Sequence, residues 1–363
     1  MLRLYDLTVE YRHQPVGLDC AAPRFSWKLE SDRQDTVQES YVLQVNGQVI
    51  ASETGSQSLL IPYTGTPLMP RTLYHWSVSV QDNHGEIATA ESTFETGIQD
   101  TQFFADHARW ITAGWDDKET ASPVFTKRFP VEKDVVSARL YATCLGVYEA
   151  ALNGEPISDT YFAPGWTSYH KRLQYQTYPL KVKPGENALC VTLGNGWYKG
   201  ALGFNPTPNH YGDTLAFLAS VVLTYADGTE AIIGTDESWH VHSEAIRFSE
   251  IYDGETQDTT VSVQQETNAV CYHHGYGMLV AQENEPVRCL CRLDAVKDFV
   301  APNADHLIDF GQNLTGWVEV QITGKPGQKL TIRHGESLDE NGNFYTENLS
   351  FAKATDTYIL NGE

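Results

Sequence analysis

The sequence predicts an all-β chain of tandem β-sandwich modules, and three observations carry that prediction. Short runs rich in Val, Thr, Tyr and Phe recur along it, among them YVLQVNGQVIAS, ARLYATCLGVYEAALNGEPI and AFLASVVLTYADGTEAIIGTDESW. Such residues suit a pleated, half-buried surface. Between these runs stand the dipeptides Asn46-Gly47, Asn153-Gly154, Asp227-Gly228 and Asn341-Gly342, which accept the positive φ angles of tight hairpins. No amphipathic periodicity persists beyond about three helical turns.

Taken in order, residues 1–98 hold about seven short strands, from PRFSWKL at Pro23 to FETG at Phe94, a number and spacing that fit a fibronectin type III-like or immunoglobulin-like sandwich. A polar connector, IQDTQFFADHA, leads to RWITAG and a longer β-region over residues 108–285, of a length that suits a two-sheet jelly roll. Residues 290–363 read as the start of a further sandwich. There Trp317, Val318, Val320 and Ile322, followed by Leu330 and Ile332, predict paired strands joined by the Gly-Lys-Pro-Gly turn. The last strand-like run, DTYILNGE, stops at a turn signal with nothing beyond it to pair. This partial second sandwich is expected to belong to something longer, with an exposed sheet edge that invites a homodimer.

The chain has 363 residues, with 25 Lys and Arg against 47 Asp and Glu, a formal net charge of −22. That field repels phosphate backbones and anionic lipid, so neither nucleic acid nor a membrane is expected as a partner. MLRLYDLTVEYRHQP lacks a basic start followed by an apolar run, and no segment approaches the ~20 apolar residues of a membrane span. A cytoplasmic protein is the expectation. Cys20, Cys144, Cys190, Cys271, Cys289 and Cys291 are too sparse for a disulfide scaffold and read as buried reduced thiols.

The stretch FAPGWTSYHKRLQYQTY, residues 162–178, concentrates aromatic rings and basic side chains. Trp166, Tyr169, Tyr175 and Tyr178, with Trp197, Tyr198 and Phe204 of LGNGWYKGALGF, offer flat faces for the apolar side of a sugar ring. Asp159, His170, Lys171, Arg172, Asn195 and Asn209 are the polar types that hydrogen-bond hydroxyls beside such rings. The candidate sugar-binding set is Asp159, Trp166, Tyr169, Arg172, Asn195 and Trp197. Asp159, Asn195 and Asn209 would also suit calcium, a hard cation taking oxygen ligands. The plainer reading is that the rings fill a jelly-roll core and the polar groups cap its loops; both stay open.

Glu250, Asp253, Glu255 and Asp258 in SEIYDGETQD could supply a carboxylate pair, although an acidic solvent-exposed turn is the commoner origin of such a run. Phosphate-binding loops, His-Glu-x-x-His and Gly-x-Ser-x-Gly are all missing from the sequence. His273 and His274 would point to opposite faces of a strand and read as surface residues.

The ordered motifs ARWITAG, SPVFTKRF, FAPGWTSYHKRLQYQTY, LGNGWYKGALGF, IYDGET, DFGQNLTGWVEV and NLSFAKATDTYIL together resemble the amino-terminal half of bacterial α-L-rhamnosidases of glycoside hydrolase family 78. The resemblance implies accessory β-modules ahead of an (α/α)-barrel that hydrolyses terminal α-L-rhamnose with inversion. It implies rhamnose-containing glycosides as ligands and the catalytic barrel as a missing partner. The family's catalytic carboxylates lie in that barrel, one within a motif resembling Arg-Asp-Glu, and no such tripeptide occurs here. No catalytic residue is therefore carried over to this chain, and the segment alone is expected to be inactive. Some members carry a calcium-dependent rhamnose-binding module in the second block, where Asp159 and Asn195 fall at plausible ligand positions. IYDGET continues as Gln257-Asp258 where relatives more often show Tyr-Asp-Ala-Arg, a departure that bears on any shared role of this loop. The competing expectation is a stand-alone carbohydrate-binding or structural protein without catalysis.

Overall fold

A computed structural model describes residues 1–116, 120–203 and 206–362. The chain divides into two compact units. The first comprises Met1–Phe103 together with the returning segments Gln174–Tyr178 and Leu279–Glu285; the second comprises the remainder.

In the first unit, strands β1 (Leu2–Val9), β2 (Arg24–Ser31) and β5 (Ile61–Pro62) form one sheet, in the order β1-β2-β5. Strands β3 (Gln38–Val45), β4 (Gln48–Thr54), β6 (Leu73–Asp82) and β7 (Ile87–Glu95) form the other, in the order β4-β3-β6-β7. Alternation along β6, LYHWSVSVQD, sends Tyr74, Trp76, Val78 and Val80 inward, because successive strand side chains face opposite ways. They meet Phe25, Trp27, Leu43 and Phe94. Phe25 lies edge-on to Trp76 at 4.9 Å, and the buried Trp27 indole donates to Gln38 Oε1 at 2.9 Å, which leaves that polar group satisfied inside the core. Asn46 and Gly47 both hold positive φ, +47° and +78°, between directly paired Val45 and Gln48. That is the two-residue hairpin the dipeptide predicts.

Helix α1 (Gln102–His107) is followed in the second unit by β8 (Ile111–Thr112), β9 (Pro123–Val131), β10 (Val135–Leu145), β11 (Val147–Leu152), β12 (Glu155–Pro156) and β13 (Thr160–Tyr161). Next come β14 (Leu173–Pro179), most of which goes with the first unit, β15 (Gly185–Gly194), helix α2 (Gly196–Lys199), β16 (Ala216–Tyr225), β17 (Glu230–Gly234) and β18 (His240–Ser243). After these stand β19 (Ile246–Glu250), β20 (Gly254–Asp258), β21 (Gln264–Asn268), β22 (Val270–Cys271), β23 (Leu279–Ala281, in the first unit) and β24 (Val287–Arg288). The last are β25 (Lys297–Val300), β26 (His306–Asp309), β27 (Lys329–Arg333), β28 (Ser337–Leu338), β29 (Phe344–Tyr345) and β30 (Thr355–Ile359).

One sheet of this unit contains β22-β8-β16-β10, with β17 also on β16; a second runs β12-β11-β15-β9-β18-β21. Phe217 on β16 meets Phe125 of β9 at 6.2 Å and Tyr148 of β11 at 6.0 Å, so rings from both sheets interdigitate in one core. This is the layered β-architecture the hydrophobic runs predict.

Several expectations need correction. The run Trp317–Ile322 has strand-like alternation but enters no ladder, and Trp317 remains 52% exposed, because its alternating apolar groups find no facing strand among the described residues. The terminal run does not lack partners: β30 lies inside a four-stranded sheet ordered β19-β20-β30-β27, parallel to β20 and antiparallel to β27. The thiols are all free, yet only Cys144 is fully buried; Cys20, Cys271, Cys289 and Cys291 are exposed. His273 is exposed as expected, whereas His274 is half-buried edge-on against Trp110 at 5.2 Å, and burial lowers its pKa.

Candidate functional site

The aromatic stretch folds into two different things. Its second half, on β14, is core: Tyr175 and Tyr178 are buried, and Tyr175 donates its hydroxyl to Asp19 Oδ2 at 2.6 Å within the first unit. Its first half is a compact loop in the second unit, closed by Gly165 N–H to Phe162 O at 2.8 Å and by Arg172 N–H to Ser168 O at 2.9 Å. Tyr169 is not a contact face. It is 2% exposed, and its hydroxyl donates to Gly165 O at 2.8 Å, while burial holds its phenol well above the usual range. Its ring supports Tyr211 edge-on at 4.8 Å and Tyr198 at 5.7 Å.

Around this support stand two exposed rings, Trp166 and Phe162, and the half-buried Trp197. Trp166 is 55% exposed and nearly parallel to Trp197, with an interplanar angle of 5° and centroids 6.0 Å apart. Its indole N–H donates to Tyr211 Oη at 3.2 Å, which fixes the ring's orientation. Phe162, 41% exposed, meets Trp197 edge-on at 5.7 Å. Trp197 comes from α2, whose single turn sends Trp197 outward and Tyr198 inward. Burial pushes the Tyr198 phenol up to about 12, so it stays a neutral core hydroxyl at physiological pH. His170 and His210 flank Tyr211 at 5.3 and 4.6 Å. Phe204 lies outside the described residues.

Among the polar candidates, Asn195 occupies the N-cap position of α2, yet its side chain makes no capping bond and stays available beside Trp197. Asn209 lies at the other end of that helix, its N–H donating to Lys199 O at 2.7 Å with φ at +62°. Asp159 is instead engaged by Arg288, whose Nε lies 3.1 and 3.2 Å from its two carboxylate oxygens. Arg172 is half-buried at the loop's end, where its carbonyl accepts from Thr167 Oγ1. The structure thus groups Trp166, Trp197 and Asn195 with the supporting Tyr169, and gives Asp159 a separate cationic partner. Among the described residues, no three His, Cys, Asp or Glu side chains gather as a metal site.

The acidic run is not an exposed turn. Glu250 Oε1 accepts from Ala201 N–H at 2.9 Å, and Oε2 accepts from Tyr252 and Asp253 N–H at 2.7 and 2.8 Å. Asp253 pairs with Lys353, and Asp258 accepts from the Thr260 N–H and hydroxyl. Glu255 is half-buried, and burial, with Asp356 and Glu149 nearby, raises its pKa. Three of the four carboxylates therefore hold chain in place. Sequence reasoning missed Tyr211, the ring that anchors Trp166; its isolated place in NHYGD gave no periodic signal.

Three family models align with the chain in order. They are described as the Rha78A-like, N-terminal immunoglobulin domain (residues 4–100), the Alpha-L-rhamnosidase N-terminal domain (133–290) and the Bacterial alpha-L-rhamnosidase concanavalin-like domain (300–363). A protein named Alpha-L-rhamnosidase from Streptomyces avermitilis is 38% identical over 561 residues, covering 100% of this chain and 54% of that protein. Another of that name from Formosa agariphila is 31% identical over 385 residues, covering 95% of this chain and 41% of its own length. The crystal structure of native α-L-rhamnosidase from Aspergillus terreus matches with a TM-score of 0.93 at 32% identity, over 100% of this chain and 44% of that one. The Streptomyces avermitilis enzyme complexed with L-rhamnose matches with a TM-score of 0.91 at 25% identity, over 100% and 54%. The chain spans about half the length of the curated relatives it matches.

Proposed function

The chain belongs to the α-L-rhamnosidase family as the amino-terminal β-domain portion of its members, and from that premise we propose that it serves an enzyme releasing terminal α-L-rhamnose from glycosides by inverting hydrolysis. The acid and base carboxylates of that reaction lie outside this chain. Inversion needs two carboxyl groups across the scissile bond with room for a water between them, about 6.5–9.5 Å apart. Within residues 250–258, Glu250, Asp253 and Asp258 are committed to backbone N–H groups, Lys353 and Thr260, which leaves Glu255 without a second carboxylate of that run to work with it. Purified chain is expected to release no nitrophenol from nitrophenyl α-L-rhamnoside; steady turnover would overturn this reading.

The aromatic platform adds a sugar grip to that accessory role. The observation that carries it is the exposed Trp166 ring lying parallel to the half-buried Trp197, beside the uncommitted Asn195 amide. Two flat faces take the C–H side of a pyranose, and the amide meets its hydroxyls. Calorimetric titration with L-rhamnose at millimolar concentration, with and without calcium, is expected to show weak saturable heat. A flat titration in both conditions removes the grip and leaves the accessory role standing.

A further inference from the structure

A polar cleft of about 140 Å³ lies in the second unit, apart from the tryptophan platform, and is lined by Ser122, Val124, Thr192, Glu244, Ala245, Ile246 and Gln257. Its floor is one row across a sheet: Glu149 on β11 stands opposite Thr192 on β15, Thr192 opposite Val124 on β9, and Val124 opposite His242 on β18. The hairpin β19–β20 forms the other wall, where Ile246 and Gln257 are cross-strand neighbours. Backbone bonds pin that wall in place: Ser122 N–H to Ile246 O at 3.0 Å and Asp258 N–H to Ala245 O at 2.8 Å. At one end His242 Nε2 bonds Glu244 Oε1 at 2.8 Å.

Among the described residues, the Ser122 and Thr192 hydroxyls and the Gln257 amide have no hydrogen-bond partner. Ser122 is buried and the other two are half-buried, so uncommitted donors and acceptors converge on a small cleft instead of facing bulk water. The ligand class is set by that lining. An anion would face Glu244, with Glu149 at the far end of the same row. An apolar molecule would leave the hydroxyls and amide unpaired. A divalent cation lacks its carboxylate set, since no such group gathers among the described residues. A neutral polyol ring answers every surface: its hydroxyls donate to Glu244 and exchange hydrogen bonds with Ser122, Thr192 and Gln257, while its C–H groups lie on Val124 and Ile246. The volume is well below the ~300 Å³ at which drug-sized pockets begin, and suits one ring.

We propose that the cleft between the β9–β15 floor and the β19–β20 hairpin binds a single neutral monosaccharide ring, at a site independent of the tryptophan platform. The test is methyl NMR of the intact chain titrated separately with L-rhamnose and D-galactose, following Val124 and Ile246, with the Trp166 and Trp197 indole signals as separate reporters of the platform. At least one sugar is expected to shift the Val124 and Ile246 methyls saturably at millimolar concentration. The shape-preserving double variant Ser122→Ala, Thr192→Val should weaken that response about tenfold, the loss of two modest hydrogen bonds, with an unchanged melting temperature. Trp166→Ala should leave it intact. No saturable methyl shift with either sugar, or a shift indifferent to the double variant, overturns the proposal. Failure of the platform would appear in the indole signals alone.

Discussion

At Asp19, burial works against the carboxylate's charge and raises its pKa, while the Tyr175 hydroxyl and the Gln99 N–H oppose that rise by bonding the ionised form. A carboxyl whose folded pKa is raised contributes stability below its unfolded pKa and loses it as pH climbs through the raised value. Tyr175 limits that loss. Removing it in Tyr175→Phe lifts the carboxyl pKa further, with Glu283 adding repulsion. The variant should therefore cost about 1–3 kcal/mol near neutral pH and less at about pH 4, in urea melts at the two values; equal losses would mean that the hydroxyl acts independently of the Asp19 charge, through its bond from the Ile98 N–H. On the platform, Trp197→Ala or Trp166→Ala should each weaken rhamnose binding about tenfold in calorimetry, and the exposed Trp166 should do so with little change in stability. The sequence made Trp166 and Trp197 readable as candidates but could not separate them from Tyr169 and Tyr175. Residues Leu173–Gln176 on β14 are buried on both faces, so no period-two contrast marks which rings face solvent.

Elements were legible where their determinants are local. Asn46-Gly47 specifies its hairpin within four residues, and a methyl group on Gly47 would meet nothing within 4 Å. Gly47→Ala should thus cost only the backbone term for a positive φ, about 1 kcal/mol. Gly254 is a different case. It combines φ +98° with a Cβ position 2.2 Å from Thr355 O, a main-chain atom at the start of β30. Gly254→Ala should cost about 3 kcal/mol and raise hydrogen exchange at β20 and β30 amides, whereas Gly47→Ala should affect only the β3–β4 hairpin. Comparable losses at the two sites would mean that β20 and β30 are not held as close as the structure places them. The β20–β30 pairing itself was not legible, because it joins segments about 100 residues apart, as in Glu255 N–H to Asp356 Oδ1 at 2.9 Å. Trp317–Ile322 shows the converse: alternation describes side chains, and a ladder also needs a neighbour.

For the whole molecule, composition and turn chemistry foretold an all-β chain, and the −22 charge argued against phosphate-bearing partners. The chain's return into its first unit at Gln174–Tyr178 and Leu279–Glu285 left no mark on composition, because buried strands look alike whichever unit they join. The long-range sheet has a consequence for integrity. Arg292 has an 82% exposed side chain, and its ion pair with Glu319 at 2.6 Å is equally exposed and adds little protection. Brief trypsin treatment should therefore cut there. The segment beyond that cut is held through β30, parallel to β20 from Thr256 opposite Thr357 to Asp258 opposite Ile359. Thr259 N–H to Ile359 O, Ala354 N–H to Tyr252 O, the Lys353–Asp253 pair and the edge-on rings of Tyr252 and Phe351 tie the same segment down. The nicked protein should elute as one particle in size exclusion with both fragments present by mass spectrometry, and separate only in denaturant. A carboxy-terminal fragment that elutes alone under native conditions would show that β30 is not seated in this sheet.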